Sequence, residues 1–263
     1  MRTKIYNRPM LTSQRKQHIL AQLAAHGQVL AKELSVALQA TEDTIRRDLR
    51  ELAAQGLLQR VHGGALPASP ATGDTLARAN IASQDKADLG KLGASLVKAG
   101  QVVLLDGGTT ALQIAKHLPL SLQATVVTHS PEVACALAAH SKLDVIMLGG
   151  KLFRHSMVNM GAQTLQAAAQ MHIDLYFMGV TGAHLQAGLT TGDYEEAALK
   201  RALHAQAAET VVLASPEKLG AASPYVIATL GVISILGLNH APDAAWQSAS
   251  AQLGISVLIA GSE

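Results

Sequence analysis

Two stretches of this chain concentrate side chains that could do chemistry. Residues 41–52 read TEDTIRRDLREL, and RVHGGA follows at 60–65. Arg46, Arg47 and Arg50 supply guanidiniums that can meet phosphates or guanine edges, and the hydroxyls of Thr41 and Thr44 can donate to phosphate oxygens. Arg60 and His62 stand before two glycines, Gly63 and Gly64, which permit a tight turn and a close backbone approach. The second stretch is DGGTT at 106–110, behind the apolar run VVLL. An acid, two glycines and two threonines that open a helix present backbone N–H groups to an anion. This loop is neither GxxxxGK[ST] nor GxGxxG, so neither a Walker-type nucleotide site nor a dinucleotide site is expected.

Each stretch needs elements to position it. Ile45, Leu49 and Leu52 are spaced four and three apart, so they form a buried stripe and turn Glu42, Asp43, Arg46, Arg47 and Arg50 outward. Thr41 is placed to cap this helix, and Gly56 to end it. Two shorter helical patterns precede it, at 11–27 and 31–38, and GLLQRVHGGA alternates like a hairpin. Helix, tight turn, helix and hairpin predict a winged helix-turn-helix whose second helix enters the major groove. Taken alone, TIRRDLREL would sooner be a solvated, salt-bridged helix; the neighbouring elements reverse that and decide for DNA.

From residue 85 the pattern changes. Apolar strands at 102–106, 124–130, 143–150, 174–180, 210–215 and 255–260 alternate with amphipathic helices. Strands that are apolar throughout predict a parallel sheet covered on both faces. Between the two patterns, PASPATGDTLARANIASQ is rich in Pro, Ser, Thr and Gly and reads as a linker. The predicted organisation is therefore α/β: an N-terminal winged helix-turn-helix over 1–66, a linker over 67–84, and a mostly parallel open-sheet domain over 85–263.

Charge agrees with this division. Residues 1–66 hold ten Lys/Arg against five Asp/Glu, a net +5, and the remainder is at −3. A basic small domain on an acidic body suits nucleic acid. Arg2, Lys4 and Arg8 could add phosphate contacts. No apolar run is long enough to span a bilayer, and MRTKIYNRPM lacks the apolar stretch of a secretion signal, so a cytoplasmic protein is expected. The single cysteine, Cys135, excludes an internal disulfide and is expected on a buried helix face. The eleven histidines show no metal-ligand spacing, and no metal or cofactor is expected.

The strings RKQHIL, TEDTIRRDLRELAAQGLLQRVHGGA, DGGTT, LGGKLF, GLTTGDYEEAALKRA and SPEKLG together resemble the DeoR-type bacterial transcriptional regulators, from Leu11 to the C-terminus. The resemblance implies a sensor domain similar in fold to ribose-5-phosphate isomerase that binds phosphorylated sugars or related metabolites. It implies a repressor of a carbohydrate-use operon, released by its effector. It also implies effector contacts at Asp106, Gly108, Thr109, Thr110, Lys200 and Lys218, with Glu196 in the same motif. To these the strand-end reading adds Gly107 and Arg154. Three positions depart from the family pattern: Ser215-Pro216-Glu217-Lys218 replaces an Asp-Ser-Ser-Lys-type run, His129 replaces an Asn, and GLNH, containing Asn239, stands where a late Asp is usual. These departures point to an unusual effector or a weakened pocket; for His129 a structural or rim role is expected. Paired DNA half-sites call for a homo-oligomer. The competing reading is a sugar-phosphate isomerase with a basic appendage, in which Glu196 or Asp106 acts as general base.

Overall fold

The structure is a computed structural model that describes residues 10–261. The basic arm at Arg2, Lys4 and Arg8 lies outside the described residues. The chain divides into two compact units, Met1–Ala68 and Ser69–Glu263.

In the first unit α1 (Thr12–His26), β1 (Val29–Leu30), α2 (Ala31–Ala37), α3 (Glu42–Ala54), β2 (Leu58–Val61) and β3 (Gly64–Pro67) follow one another. The three helices enclose Ile19, Leu23, Leu34, Ile45, Leu49 and Leu52, and the strands form a small antiparallel sheet in the order β1–β3–β2. Thr41 caps α3, its hydroxyl accepting the Thr44 amide at 3.2 Å. Both wing glycines are required. Gly63 turns with φ +79°, and a Cβ on Gly64 would lie 1.9 Å from the Val29 carbonyl oxygen.

The second unit opens with a short 3-10 turn at Pro70–Thr72 and α4 (Thr75–Ala79), followed by α5 (Ser83–Leu96). Then come β4 (Val102–Leu105), α6 (Thr109–His117), β5 (Ala124–Thr128), α7 (Pro131–Leu137), β6 (Leu143–Met147), the β7 (Lys151–Phe153) and β8 (Val158–Met160) hairpin, α8 (Ala162–Ala168) and β9 (Ile173–Phe177). The rest is β10 (Gly182–His184), β11 (Gly188–Thr191), α9 (Tyr194–His204), β12 (Ala207–Ala214), β13 (Tyr225–Ala228), β14 (Ile235–Leu238), α10 (Ala244–Leu253) and β15 (Ser256–Ile259). Seven strands form one parallel sheet in the order β15–β14–β12–β9–β4–β5–β6. Alternate residues feed opposite cores: Leu104, Val127 and Tyr176 pack on one face, Val103, Leu105, Val126 and Phe177 on the other. That double burial is why the inner strands read as unbroken apolar runs; at the edge, β6 leaves Val145, Ile146 and Met147 exposed, against the expectation of a sheet covered throughout.

Two expectations are corrected here. Most of the stretch read as linker is ordered structure of the second unit. Ser69 donates its hydroxyl to the Thr181 carbonyl, and the Thr75 amide donates to the His155 carbonyl at 3.0 Å. Its polar composition supplies caps, Ser69 for the 3-10 turn and Asp74 for α4, rather than disorder. Cys135 is exposed, because α7 buries Val133 and Leu137 and turns the residue midway between them away from the sheet.

Candidate nucleic-acid interface and strand-end cleft

On α3 the outward face is as the periodicity requires: Arg46, Arg47 and Arg50 are exposed. Their states differ. Arg46 is held by Glu42 at 2.7 Å and faces Asp43 at 3.7 Å. Arg47 and Arg50 make no salt bridge among the described residues, and Arg50 Nε donates to the Arg46 carbonyl at 3.4 Å. The hydroxyls of Thr41 and Thr44 bond to each other at 2.9 Å at the helix entrance. Arg60 is exposed on β2, and His62 is exposed in the wing turn. Asp48, unremarked in the sequence, is 2% exposed and pairs with Arg15 of α1. It locks α3 to α1.

The second site lies where the sheet order reverses. Chain order runs from β4 outward through β5 and β6, then returns to β9 on the opposite side of β4. The carboxyl ends of β4 and β9 therefore splay around a crevice, the usual ligand position in an open parallel sheet. Asp106 follows β4, and the Gly179 amide beyond β9 donates to its Oδ2 at 2.8 Å. Gly107 is required because a Cβ there would meet Val158 at 2.1 Å; Gly108 is required by its φ of +101°. The turn delivers Thr109 and Thr110 to the start of α6, whose first amides have no acceptor within the helix.

Asp106 does not line the cleft. It is 1% exposed and sits beneath it, at the centre of a buried network. Its Oδ1 accepts from the Gly107 amide and faces His129 Nε2, both at 2.7 Å. Its Oδ2 accepts from Tyr176 Oη at 3.0 Å, from the Gly179 amide and from Lys200 Nζ. Burial alone would raise the Asp106 carboxyl; Lys200 and His129 outweigh it and hold the group well below the usual carboxylate range. Burial likewise opposes the Lys200 charge, and Asp106 and Glu196 more than restore it. Tyr176 is pushed up by burial and by Asp106, so it remains a hydroxyl donor. His129, fully buried, spans from Asp106 to the Asn159 carbonyl at 3.0 Å. It braces the network from inside.

The cleft above is lined by Gly107, Gly108, Thr109, Thr110, Glu196, Lys200 and Lys218. Lys218 Nζ lies 3.5 Å from Thr110 Oγ1, and burial pushes its amine down to about 8. Glu196 bonds Ser156 at 3.3 Å and Lys200 at 3.2 Å. Arg154 does not belong here. It is exposed in the turn beyond β7 and lines no part of the cleft, because β7 pairs with β8 instead of continuing the sheet. Sequence reasoning missed Arg78 of α4 and Lys86 of α5, which also line the cleft, and Thr191, whose buried Oγ1 has no hydrogen-bond partner. Arg78 was hidden by the composition that reads as linker; no local motif marks Lys86 or Thr191. Of the departures, Ser215 donates to Glu217 at 2.7 Å, and Glu217 faces Lys86 at 3.7 Å. Asn239 donates to the Asp85 carbonyl at 3.0 Å.

Comparison with known proteins matches both units. Residues 15–71 fit the DeoR-like helix-turn-helix domain, and residues 81–237 fit the DeoR C-terminal sensor domain. The HTH-type transcriptional regulator FruR of Bacillus subtilis is 35% identical over 86% of this chain and 91% of its own length. The HTH-type transcriptional repressor GlcR of the same organism is 31% identical over 95% of this chain and 97% of its own. The glycerol-3-phosphate regulon repressor of Haemophilus influenzae is 30% identical over 86% and 87%. Among solved structures, ribose 5-phosphate isomerase A of Methanocaldococcus jannaschii aligns with a TM-score of 0.39 at 20% identity, over 52% of this chain and 54% of that one.

Proposed function

The chain belongs to the DeoR family of transcriptional regulators, and on that premise we propose that it represses a carbohydrate-use operon and leaves DNA when a phosphorylated sugar or related metabolite fills the cleft. The observation that carries the effector reading is a pair of unmatched cations. Lys200 is matched by Asp106 and Glu196, and Lys86 by Glu217. Arg78 and Lys218 line the same cleft with no carboxylate at salt-bridge distance among the described residues. Two free cations beside the first amides of α6 suit a dianion such as a phosphate monoester. Glu196 and the unpartnered Thr191 hydroxyl suit sugar hydroxyls. Relatives named as repressors, one of them of a glycerol-3-phosphate regulon, support the same reading.

DNA would be held by α3, with Arg47 and Arg50, which no carboxylate holds among the described residues, Arg46, Thr41 and Thr44 beside them, and Arg60 and His62 on the wing. Two recognition helices are needed for paired half-sites, so the working form is a homo-oligomer acting in the cytoplasm. No helix among the described residues is long and apolar enough to cross a membrane. The chain is read as a regulator and not as an isomerase, because every oxygen of Asp106 is already engaged below the cleft. Glu196 alone of the two proposed bases lines the cleft, and turnover of a sugar phosphate abolished by Glu196→Gln would favour the enzyme.

The direct test is a thermal-shift panel of sugar phosphates, unphosphorylated sugars and inorganic phosphate. A ligand at a hundred times its dissociation constant stabilises the fold by about 2.7 kcal/mol. Selective stabilisation by phosphate esters is expected. A folded protein indifferent to all of them would overturn the effector reading and leave the DNA-binding reading in place.

A further inference from the structure

We propose that Arg78 reads the effector directly, and that the strap from Ser69 to Ala82, which carries it, closes on an anion in the cleft. This rests on the effector reading above and deepens it.

The position in the chain is the first observation. The strap opens the second unit, directly after the boundary at Ala68–Ser69. The second observation is how the strap is held. Its ties to the rest of the second unit are mainly hydrogen bonds: Ser69 to the carbonyls of Thr181 and Ala222, Thr75 to the His155 carbonyl, and His155 Nε2 to the Thr72 carbonyl at 2.9 Å. Ser69, Ala71 and Thr75 are buried, whereas Arg78 is half-buried over the cleft. At its far end Lys86 holds the carbonyls of Arg78 and Ile81. Beside it Ala82 takes φ +49°, a left-handed conformation uncommon for a residue with a side chain. The strap is thus tied at both ends, by Ser69 and Thr75 at one and by Lys86 at the other, and bent at Ala82.

The third observation is where Arg78 points. Its Nη1 lies 3.6 Å from the position a Cβ would take on Gly108, at the mouth of the anion-binding turn. Its other nitrogens reach only neutral oxygens of the strap itself, Thr75 Oγ1 at 3.2 Å and the Asp74 carbonyl at 3.4 Å. A guanidinium has five donors, and these contacts leave most of them for a ligand. A phosphate resting on the amides of α6 would take charge-assisted bonds from Arg78 and draw the strap onto residues 107–110. A ligand shifts an equilibrium only through its differential affinity for the two states. Arg78 supplies that difference, since its distance from the cleft is set by the strap.

The test is hydrogen–deuterium exchange on the full chain, with and without inorganic phosphate, following peptides that cover 70–82 and 106–112. In the unsubstituted protein both peptides are expected to slow with phosphate. Arg78→Ala should weaken phosphate binding about ten- to a hundredfold and abolish the response of the 70–82 peptide even where 106–112 is saturated. Arg78→Lys, which keeps the charge without the fork, should fall between and serves if the alanine variant does not fold. A 70–82 peptide indifferent to phosphate while 106–112 responds would overturn the proposal and leave the phosphate cleft standing. Silence in both peptides would overturn the effector reading and this proposal together.

Discussion

The outward face of α3 and the cleft at the sheet's carboxyl edge both gather cations, yet they hold them in opposite ways. The α3 arginines are exposed and stay hydrated, and folding is carried by other residues, Ile45, Leu49 and Leu52, on the hidden face of the same helix. In the cleft Lys200 and Lys218 are buried, 2% and 7% exposed, and the unit's stability depends on what surrounds them. A hydrated charge can be changed at little structural cost. A buried charge is tolerated only when its partners are fixed, so removing a partner disrupts the fold. Recognition and stability are therefore separable on α3 and joined in the cleft.

The sharpest way to break that contrast is Asp106→Asn. It leaves Lys200 buried with Glu196 as its one carboxylate, and a loss of roughly 3–5 kcal/mol from the second unit is expected. Urea unfolding followed separately for the two units measures it, and an unchanged midpoint would refute the network's structural role. Next comes Lys218. Its amine loses its charge as pH rises through about 8, whereas a phosphate ester is already a dianion above about 6. Phosphate affinity should hold between those values and then fall by up to about tenfold per pH unit. Titration calorimetry across pH shows the limb, and Lys218→Met should weaken binding and remove it.

Thr41→Ala should cost about 1 kcal/mol through the lost cap of the Thr44 amide, seen in the unfolding of the first unit alone. Arg47→Ala should have the smallest effect on folding, within about 0.5 kcal/mol. It should nonetheless reduce the salt dependence of duplex binding by about one counterion, read as the slope of log affinity against log salt. A stability loss at Arg47 comparable to that at Asp106 would erase the distinction between the two regions.

How much was legible in the sequence follows the same line. The α3 face could be read directly, since a helical period fixes which side chains point out once Ile45, Leu49 and Leu52 are known to point in. The wing was legible from Gly63 and Gly64, whose missing Cβ atoms satisfy a positive φ and a close contact that other residues would resist. Asp48 was not, because its partner Arg15 is on another helix. In the second unit six of the seven strands of the main sheet were legible from their unbroken apolar runs; β14, short and interrupted by Gly237, was not. The role of Asp106 was not. It sits in a loop that reads as ligand-facing, and only the convergence of His129, Tyr176 and Lys200 from other elements makes it a buried anchor. Arg154 failed for the complementary reason: the residues after β6 leave the sheet as a hairpin, which carries the arginine away from the cleft.

The sequence by itself determined two units of different charge, a helix α3 with its arginines outward, a parallel sheet whose inner strands are covered on both faces and a glycine turn at the carboxyl end of β4. These follow from local periodicity and from φ values that only certain residues adopt, and both act over a few neighbours in the chain. Tertiary structure alone decided which cations are matched and which are left over. It also turned the Pro- and Ser-rich segment into an ordered strap that carries Arg78 to the cleft. Ion pairing depends on distances between residues such as Lys200 and Asp106, 94 positions apart, and no local pattern encodes a distance of that kind.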